Sequence, residues 1–212
     1  MSWRKRFFVS AAGISGMHDE GELDGTTALA PDEADALLPR HILTRADLNL
    51  WEQENILEGI TWSLRSRSPV LSEALVRELH RRMFNGTWSW AGRYRTSDKS
   101  IGVHWPTIPA EVRNLILDGQ YWIENDTLEL DEAAIRLHHR LVKIHPFVNG
   151  NGRHARLWCD MLLRQWGRPP FAWKSRELNI GGEARRAYID ALRAADDNDY
   201  EPLRELLMRG RT

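Results

Sequence analysis

Hydrophobic residues recur at helical spacing along most of the chain after residue 44. Thr44 and, three residues later, Asp47 form a helix-start signal, and an apolar stripe of roughly helical period follows them. A second stripe after Pro69 repeats every four residues, which places its members on one helix face. These two stripes consist of Leu48, Trp51, Ile56, Ile60 and Leu64, and of Leu71, Leu75, Leu79 and Met83. Similar patterns predict helices near 112–123, 131–143, 153–166, 183–195 and 201–208.

Two segments lack this helical period. Residues 93–105 follow a Gly- and Trp-rich break and carry turn formers at their centre, so they are predicted to form a short β-hairpin that ends at Pro106. Residues 1–43 are rich in Gly, Asp, Glu, Ala and Pro and show little periodicity, which is typical of a loose, partly irregular arm. The predicted organisation is therefore an N-terminal arm, residues 1–43, followed by one mainly α domain, residues 44–212, with one small hairpin.

Composition narrows the class of protein. With 42% hydrophobic residues and ten Trp, the 212 residues can build a sizeable core. The formal charge of −1 indicates no overall attraction to nucleic acid or membranes, and no apolar stretch approaches the ~20 residues of a membrane helix. We therefore expect no membrane partner and no direct nucleic-acid binding.

Cysteine usage and the first residues bear on the compartment. The single Cys159 excludes an internal disulfide, fits a reducing compartment and lies on an apolar helical run, so it is expected in the core of a cytoplasmic protein. The first residues resemble a signal peptide in outline, with a basic part, a short apolar run and small residues. Met17 is an alternative translational start, which would remove this segment.

The candidate chemistry is concentrated in the twelve residues from His145 to Arg156, which read HPFVNGNGRHAR. Pro146 discourages the preceding helix from continuing, and two glycines then form a tight turn that opens the next helix. A Gly-rich helix start presents unpaired N–H groups and the positive end of the helix dipole, which suits a phosphate. Arg153 and Arg156, three residues apart, are predicted to share a helix face and bind a polyphosphate, while His145 is a candidate proton acceptor.

The pattern His145-Pro-Phe-x-x-Gly-Asn-Gly-Arg-x-x-Arg156 resembles the signature of the Fic (Fic/Doc) family. The resemblance implies a Fic-type helical bundle with a small β-hairpin flap, and an enzyme that moves AMP from ATP to a hydroxyl side chain of a target protein. His145 would be the base that takes the hydroxyl proton, and Phe147 an inward-facing anchor. Gly150, Asn151 and Gly152 would form the phosphate site, and Arg153 and Arg156 would bind the outer phosphates.

Asn149 departs from the family pattern. AMP-transferring members carry Asp or Glu at this position, and that carboxylate holds the Mg²⁺ that bridges the α- and β-phosphates. An Asn carbonyl can bind a hard cation but adds no negative charge. Three outcomes are open: transfer with weak Mg²⁺ affinity through Asn149, a different phosphate-bearing donor, or a nucleotide-binding protein with little turnover.

The resemblance also implies partners. Residues 93–105 occupy the place of the family's flap, where the main chain of an unidentified target protein would dock by β-augmentation. His104 and Trp105 at its end would contact ligand or simply pack. Many relatives restrain themselves with a Glu that pairs with the second motif arginine, but neither Glu54 nor Glu58 fits that motif. We therefore expect a separate inhibitory partner protein or no restraint.

A finer resemblance concerns residues 38–48, LPRHILTRADL, which together with the motif look like the subgroup called mobile mystery protein B. This would make the chain a toxin-like factor of a bacterial mobile element. The leading functional hypothesis is thus a Mg²⁺-dependent protein adenylyltransferase that uses ATP. The alternatives are a nucleotide-binding regulatory module with weak or no catalysis, suggested by Asn149, and a phosphodiesterase that removes AMP. His138 is expected to pack in the core and His154 to lie on the surface.

Overall fold

The fold is described by a computed structural model for residues 35–39, 42, 44–173, 178 and 182–209. Its α-helices are α1 (Arg45–Arg65), α2 (Glu73–Phe84), α3 (Ile108–Glu124), α4 (Leu130–Ile144), α5 (Asn151–Gln165), α6 (Glu183–Asp196) and α7 (Glu201–Met208), and a 3₁₀ turn, Trp105–Thr107, leads into α3. The expected mainly α fold class is confirmed. In the ranges just given, no helix is both long enough and apolar enough to cross a membrane.

The first two helices begin where local side-chain chemistry predicts. The Thr44 hydroxyl accepts a hydrogen bond from the Asp47 amide at 3.1 Å, and the Asp47 carboxylate accepts one from the Thr44 amide at 3.2 Å. This reciprocal capping box satisfies two donors that the helix end would otherwise leave unpaired. Ser72 caps α2 in the same manner by accepting from the Leu75 amide at 3.2 Å. Both helix starts are thus encoded locally.

One hydrophobic core runs through the helices, with the α4–α5 pair at its centre. α5 packs on α4, α2 and α1, while α4 also contacts α3 and α7. Phe147 and Cys159 are both buried, as expected. Because the neighbouring helices contact both α4 and α5, the turn between the pair, residues 145–150, is held on several sides.

The hairpin expected at residues 93–105 does not appear; these residues form turns and bends. Two backbone amides of this segment donate to carbonyls at the end of α4 and in the turn that follows it: the Arg95 amide to the Pro146 carbonyl at 2.9 Å, and the Val103 amide to the Ile144 carbonyl at 3.3 Å. The buried Arg95 side chain further donates to the carbonyls of Ser97 and Val103. The segment bends as its turn-forming residues predict, but its amides bond to carbonyls of Ile144 and Pro146 instead of to an opposite strand.

Part of the predicted arm is paired with the domain. Leu37 forms an isolated antiparallel bridge with Trp88, and the Leu38 amide donates to the Thr87 carbonyl at 2.8 Å. Ile42 is buried in the core. The rest of the expected arm, residues 1–34, 40, 41 and 43, lies outside the described residues. The described portion of residues 35–42 is therefore attached to the helical domain.

Candidate functional site

The turn between α4 and α5 is closed by the side chain of Asn151. Its Oδ1 accepts a hydrogen bond from the Phe147 amide at 2.9 Å, and its Nδ2 donates to the Phe147 carbonyl at 2.9 Å. Gly150 has φ +78°, and a Cβ there would lie 2.4 Å from the Phe84 ring, so no side chain fits. The Asn151 side chain, expected in the phosphate site, thus shapes the turn, and only its backbone amide can reach a ligand.

His80 on α2 ties this turn to the segment that follows α2. Its ring stacks on Phe147 with centroids 3.8 Å apart, Nδ1 accepts from the Gly92 amide at 3.0 Å, and Nε2 donates to the Asn149 carbonyl at 3.0 Å. Burial, the largest cause, holds the pKa of His80 well below its usual range, so the ring is neutral and both bonds can coexist. No pattern in the sequence predicts that His80 contacts the motif.

The backbone of His145 is fixed in an uncommon conformation. It caps α4 with φ +52° and ψ +58°, in the left-handed region that non-glycine residues rarely adopt. The Arg95 guanidinium donates from Nε to the His145 carbonyl at 2.7 Å and from Nη2 to the Ile144 carbonyl at 3.4 Å. A Cβ on Gly102 would lie 2.7 Å from the His145 Cβ. The 93–105 segment therefore encloses His145 through Arg95 and the Gly102 backbone.

The His145 side chain is 6% exposed, and its protonation follows from this enclosure. Burial, followed by the Arg95 charge, lowers the pKa of His145 to about 4, although a hydrogen bond to the Val142 backbone favours the charged ring. At neutral pH the imidazole is therefore uncharged and able to accept a proton. This agrees with the role expected of His145.

The N-terminus of α5 is the candidate anion site. Asn151, Gly152 and Arg153 form the first turn, whose N–H groups have no partner within the helix. Arg156, 8% exposed, lies near this turn, since a Cβ on Gly152 would be 3.6 Å from its Nη1. The backbone amides and the Arg156 guanidinium can thus act on one anion.

The Arg153 and Arg156 side chains point in different directions, although their spacing predicted a shared helix face. Arg153 Nη1 donates to the Glu52 carboxylate of α1 at 2.9 Å, and its guanidinium carbon lies 5.1 Å from the Phe84 ring centroid. The other Glu52 oxygen accepts from the Trp88 indole at 2.8 Å. Arg153 therefore points towards α1 and α2, whereas Arg156 points towards Tyr188 of α6. Sequence reasoning missed Glu52, which is separated from Arg153 by 101 positions.

Asn149 is half-buried, and its Oδ1 accepts a hydrogen bond from the Gly150 amide at 2.6 Å. Within the residues that the structure describes, no group of three or more His, Cys, Asp or Glu side chains is arranged to hold a metal. At this turn the side chain available to a cation is therefore that of Asn149, whose uncharged oxygen already accepts a hydrogen bond from the Gly150 amide. Such a donor set fits Mg²⁺ poorly unless phosphate oxygens complete it.

Two histidines near the motif are both buried. His154 was expected on the surface, but its Nε2 donates to the Val76 carbonyl at 2.8 Å, and its pKa falls to about 4, mainly through burial. The expectation was wrong because α2 covers this face of α5. His138 is in the core as predicted and contacts the Tyr188 hydroxyl at 2.8 Å.

The end of the 93–105 segment carries two exposed side chains, His104 and Trp105. Asp98 orders them: its carboxylate binds His104 Nδ1 at 2.7 Å and accepts from the Trp105 amide at 2.8 Å. Hydrogen bonds from Trp105 and His104 lower the pKa of Asp98. His104 and Trp105 are thus exposed and do not pack in the core.

Comparisons with known proteins agree with this geometry. The model of the Fic/DOC family matches residues 70–163. Protein adenylyltransferase fic-1 of Caenorhabditis elegans is 34% identical over 131 residues, 60% of this chain and 24% of its own length. The chain therefore spans about a quarter of the curated relatives that it matches.

Solved structures share the fold. The N-terminal Fic domain of a cell filamentation protein from Bartonella quintana superposes with a TM-score of 0.64 at 19% identity, covering 84% of this chain and 91% of that one. BepC from Bartonella tribocorum, solved with bound AMPPNP, gives a TM-score of 0.62 at 18% identity over 84% and 96% of the two chains. At these identities the likeness concerns the fold.

Proposed function

We propose that the protein is an adenylyltransferase that transfers AMP from ATP to a hydroxyl side chain of a target protein, on the premise that residues 70–163, which match the model of the Fic/DOC family, form a domain of that family. The observation that carries the proposal is the α4–α5 turn. It places a neutral, buried histidine, His145, directly before a helix N-terminus towards which Arg156 folds back. One turn thus combines a proton acceptor with an anion site. The curated relatives that carry the name protein adenylyltransferase support the assignment.

In the proposed reaction His145 accepts the proton of the target hydroxyl, while the oxygen of that hydroxyl attacks the α-phosphorus of ATP. A new O–P bond forms, the bond between the α-phosphorus and the oxygen bridging to the β-phosphate breaks, and pyrophosphate leaves. A hydroxyl is a poor nucleophile until a base is aligned with it. The amides of Gly150, Asn151 and Gly152, with Arg153 and Arg156, would neutralise the phosphate charge.

The test is incubation with labelled ATP in a bacterial lysate, followed by mass spectrometry of modified proteins. His145→Ala should abolish labelling while ATP affinity, measured by calorimetry, stays within about twofold, because only the proton acceptor is removed. His154→Gln serves as a control, since His154 is buried against α2 and bonds to Val76. Equal labelling by His145→Ala and the unaltered protein would refute the assignment.

The second candidate function is a nucleotide-binding regulatory module without efficient catalysis. Asn149 favours it, because the motif turn brings no carboxylate and the Asn149 oxygen is already bonded to Gly150. ATP binding with no labelled product, over a range of Mg²⁺ concentrations, would support this module over the transferase.

For the transferase we propose Mg²⁺ as cofactor, held mainly by the nucleotide phosphates with Asn149 as a neutral ligand. When bound, the ion would offset phosphate charge. We further propose that the target docks beside His104 and Trp105, whose exposure supports this, and that a separate protein restrains the activity. We also propose a toxin-like role in a bacterial mobile element and the mobile mystery protein B subgroup, supported by the similarity of residues 38–48 together with the motif.

We propose that the Fic domain extends beyond the matched segment, from residue 44 to 212. Its support is the shared core: Leu48 of α1, Tyr188 of α6 and Leu207 of α7 are buried in the same cluster as the motif helices. Limited proteolysis should therefore yield a resistant fragment that includes α1 and, because Leu37 pairs with Trp88 and Ile42 is buried, begins before Leu37. A fragment that contains only residues 70–163 should be unstable, because it would expose the faces that α1 and α6 cover.

A further inference from the structure

Arg156 is connected to α6 through a buried tyrosine. The Arg156 guanidinium hydrogen-bonds to the Tyr188 hydroxyl, and its central carbon lies 6.0 Å from the Tyr188 ring centroid. Both residues are buried, Arg156 at 8% and Tyr188 at 6% exposure. A guanidinium has five N–H donors in a rigid plane, so fixing one of them restricts the direction of the others. The remaining donors can face the first turn of α5, close to Gly152.

A histidine on α4 completes the connection. His138 Nε2 lies 2.8 Å from the Tyr188 hydroxyl oxygen. Burial, the largest cause, lowers the pKa of His138 to about 3, so the ring is neutral and Nε2 can accept the hydroxyl proton. The Tyr188 oxygen then keeps its lone pairs for the Arg156 donor. Arg156 thus donates to the Tyr188 hydroxyl, and the Tyr188 hydroxyl donates to His138, so the donor and the acceptor of both hydrogen bonds are defined.

We propose that Tyr188 and His138 are positioning residues that aim Arg156 at the outer phosphates of a nucleoside triphosphate. This rests on the proposed function, in which Arg156 binds those phosphates. Neither residue touches the reacting atoms; both act through Arg156. Tyr188 lies on α6, beyond residues 70–163, so the preference for a triphosphate over a monophosphate depends on a helix outside the family-matched segment.

The chain provides a matched control in a second tyrosine–histidine pair. The Tyr200 hydroxyl lies 3.3 Å from His139 Nδ1, and the Arg136 guanidinium carbon lies 4.3 Å from the Tyr200 ring centroid. This pair combines the same residue types away from α5. Tyr188→Phe and Tyr200→Phe therefore each remove one hydroxyl from a tyrosine–histidine pair, and only the first removes a contact with Arg156.

The experiment is calorimetric titration of the full chain with ATP and with AMP. Tyr188→Phe should weaken ATP binding about threefold to tenfold and AMP binding less than twofold, whereas Tyr200→Phe should change neither. In an Arg156→Ala background, Tyr188→Phe should have no further effect on ATP affinity, because the residue through which it acts is gone. Thermal denaturation of each variant separates these effects from loss of folding.

A conservative variant of the histidine adds a rescue test. His138→Gln keeps an oxygen that can accept the Tyr188 proton and should retain more of the ATP preference than His138→Leu. An unchanged ratio of ATP to AMP affinity in Tyr188→Phe, or equal losses for Tyr188→Phe and Tyr200→Phe, would overturn the proposal. These binding results do not depend on AMP transfer, so they stand apart from the labelling test of the proposed function.

Discussion

At the residue scale, Arg95 is the side chain on which the geometry of His145 depends. Its guanidinium donates to the carbonyls of His145, Ser97 and Val103, and it is buried between them. A charged donor shared by several buried carbonyls is expensive to replace, because each carbonyl loses its partner. Arg95 thus links the 93–105 segment to the backbone of the proposed base.

Arg95→Lys should therefore damage transfer more than nucleotide binding. A lysine keeps the charge, but its single ammonium cannot reach the same carbonyls, so His145 loses its fixed backbone. We expect labelling to fall at least about tenfold, unfolding free energy to fall by about 2 kcal/mol, and ATP affinity to change little. Arg93→Lys is the control, since Arg93 donates to the Ser89 carbonyl on the exposed side. Equal activity in both variants would contradict the prediction.

The uncharged side chain of Asn149 should make transfer require a high concentration of Mg²⁺. Asn149→Asp keeps the oxygen that accepts from the Gly150 amide and adds a negative charge beside the phosphates. Transfer should then need less Mg²⁺, and ATP should bind more tightly with Mg²⁺ and more weakly without it. Mg²⁺ titrations of labelling and of ATP affinity check this, with Asn198→Asp on the exposed surface as control. Coinciding curves for Asn149→Asp and the unaltered protein would place Asn149 away from the metal.

At this scale the sequence predicted residue types better than their contacts. Phe147 is buried, as its motif position indicates, and His145 lies at the end of α4, where the sequence predicts that this helix stops. The partner of Arg153 and the burial of His154 could not be inferred, since Glu52 and Val76 reach α5 only after distant helices pack. The periodicity of a helix predicts the face on which a side chain lies, but it does not predict which residue of another helix that side chain contacts.

At the scale of elements, α1 contributes a carboxylate to the motif helix. Glu52 and Arg153 are both mostly buried, with side-chain exposures of 11% and 25%, and lie 2.9 Å apart. In this arrangement Glu52 neutralises a cation that the proposed function assigns to phosphate. The packing of α1 therefore competes with the nucleotide for Arg153.

Glu52→Gln should relieve this competition. The amide oxygen can still accept from the Trp88 indole, so the substitution removes charge with little change in shape. We expect ATP affinity to rise about threefold to tenfold, because Arg153 becomes available for a charge-assisted contact. Calorimetric titration with ATP measures this affinity for Glu52→Gln and for the control Glu54→Gln, which lies on the exposed side of α1. A fall in ATP affinity would mean that Glu52 instead holds Arg153 ready for the ligand.

The helices could be predicted closely and the 93–105 segment could not. Predicted helices at 131–143 and 183–195 compare with Leu130–Ile144 and Glu183–Asp196, since an apolar stripe repeats with the helix itself. The expected hairpin needed paired strands within one short segment. Its amides bond instead to carbonyls of Ile144 and Pro146, which lie 41 and 51 positions after their donors, and no local pattern predicts such a partner.

At the scale of the whole molecule, buried histidines make the fold sensitive to acid. Of the six histidines among the described residues, five are buried, and their pKa values are lowered chiefly by burial: His80, His138, His139, His145 and His154. In the unfolded chain their pKa returns to about 6.5. As the pH falls below that value, the unfolded chain binds protons that the folded chain does not, so stability is lost. Asp160, whose pKa is raised to about 6, opposes this with one proton.

We therefore expect an unfolding transition between about pH 4 and 6 and little pH dependence above about 7. Each histidine with a pKa near 4 costs roughly 2 kcal/mol at pH 5, against a total stability of ~5–15 kcal/mol. Urea denaturation from pH 5 to 8 measures the slope. His154→Gln should reduce the proton uptake on unfolding by about one. A stability that rises on acidification would contradict this account.

The two arginines of the motif helix are held from opposite ends of the chain, Arg153 by Glu52 and Arg156 by Tyr188. During synthesis the ribosome delivers Glu52 and the motif first, and Tyr188 only after 32 further residues beyond Arg156 have been added. Domains acquire their tertiary structure as the chain emerges from its N-terminal side. When α1 to α5 have left the ribosome, Glu52 can already pair with Arg153. Tyr188 is not yet available at that stage to direct Arg156. The proposed nucleotide site would thus be completed only after α6 has followed the motif helices out of the ribosome.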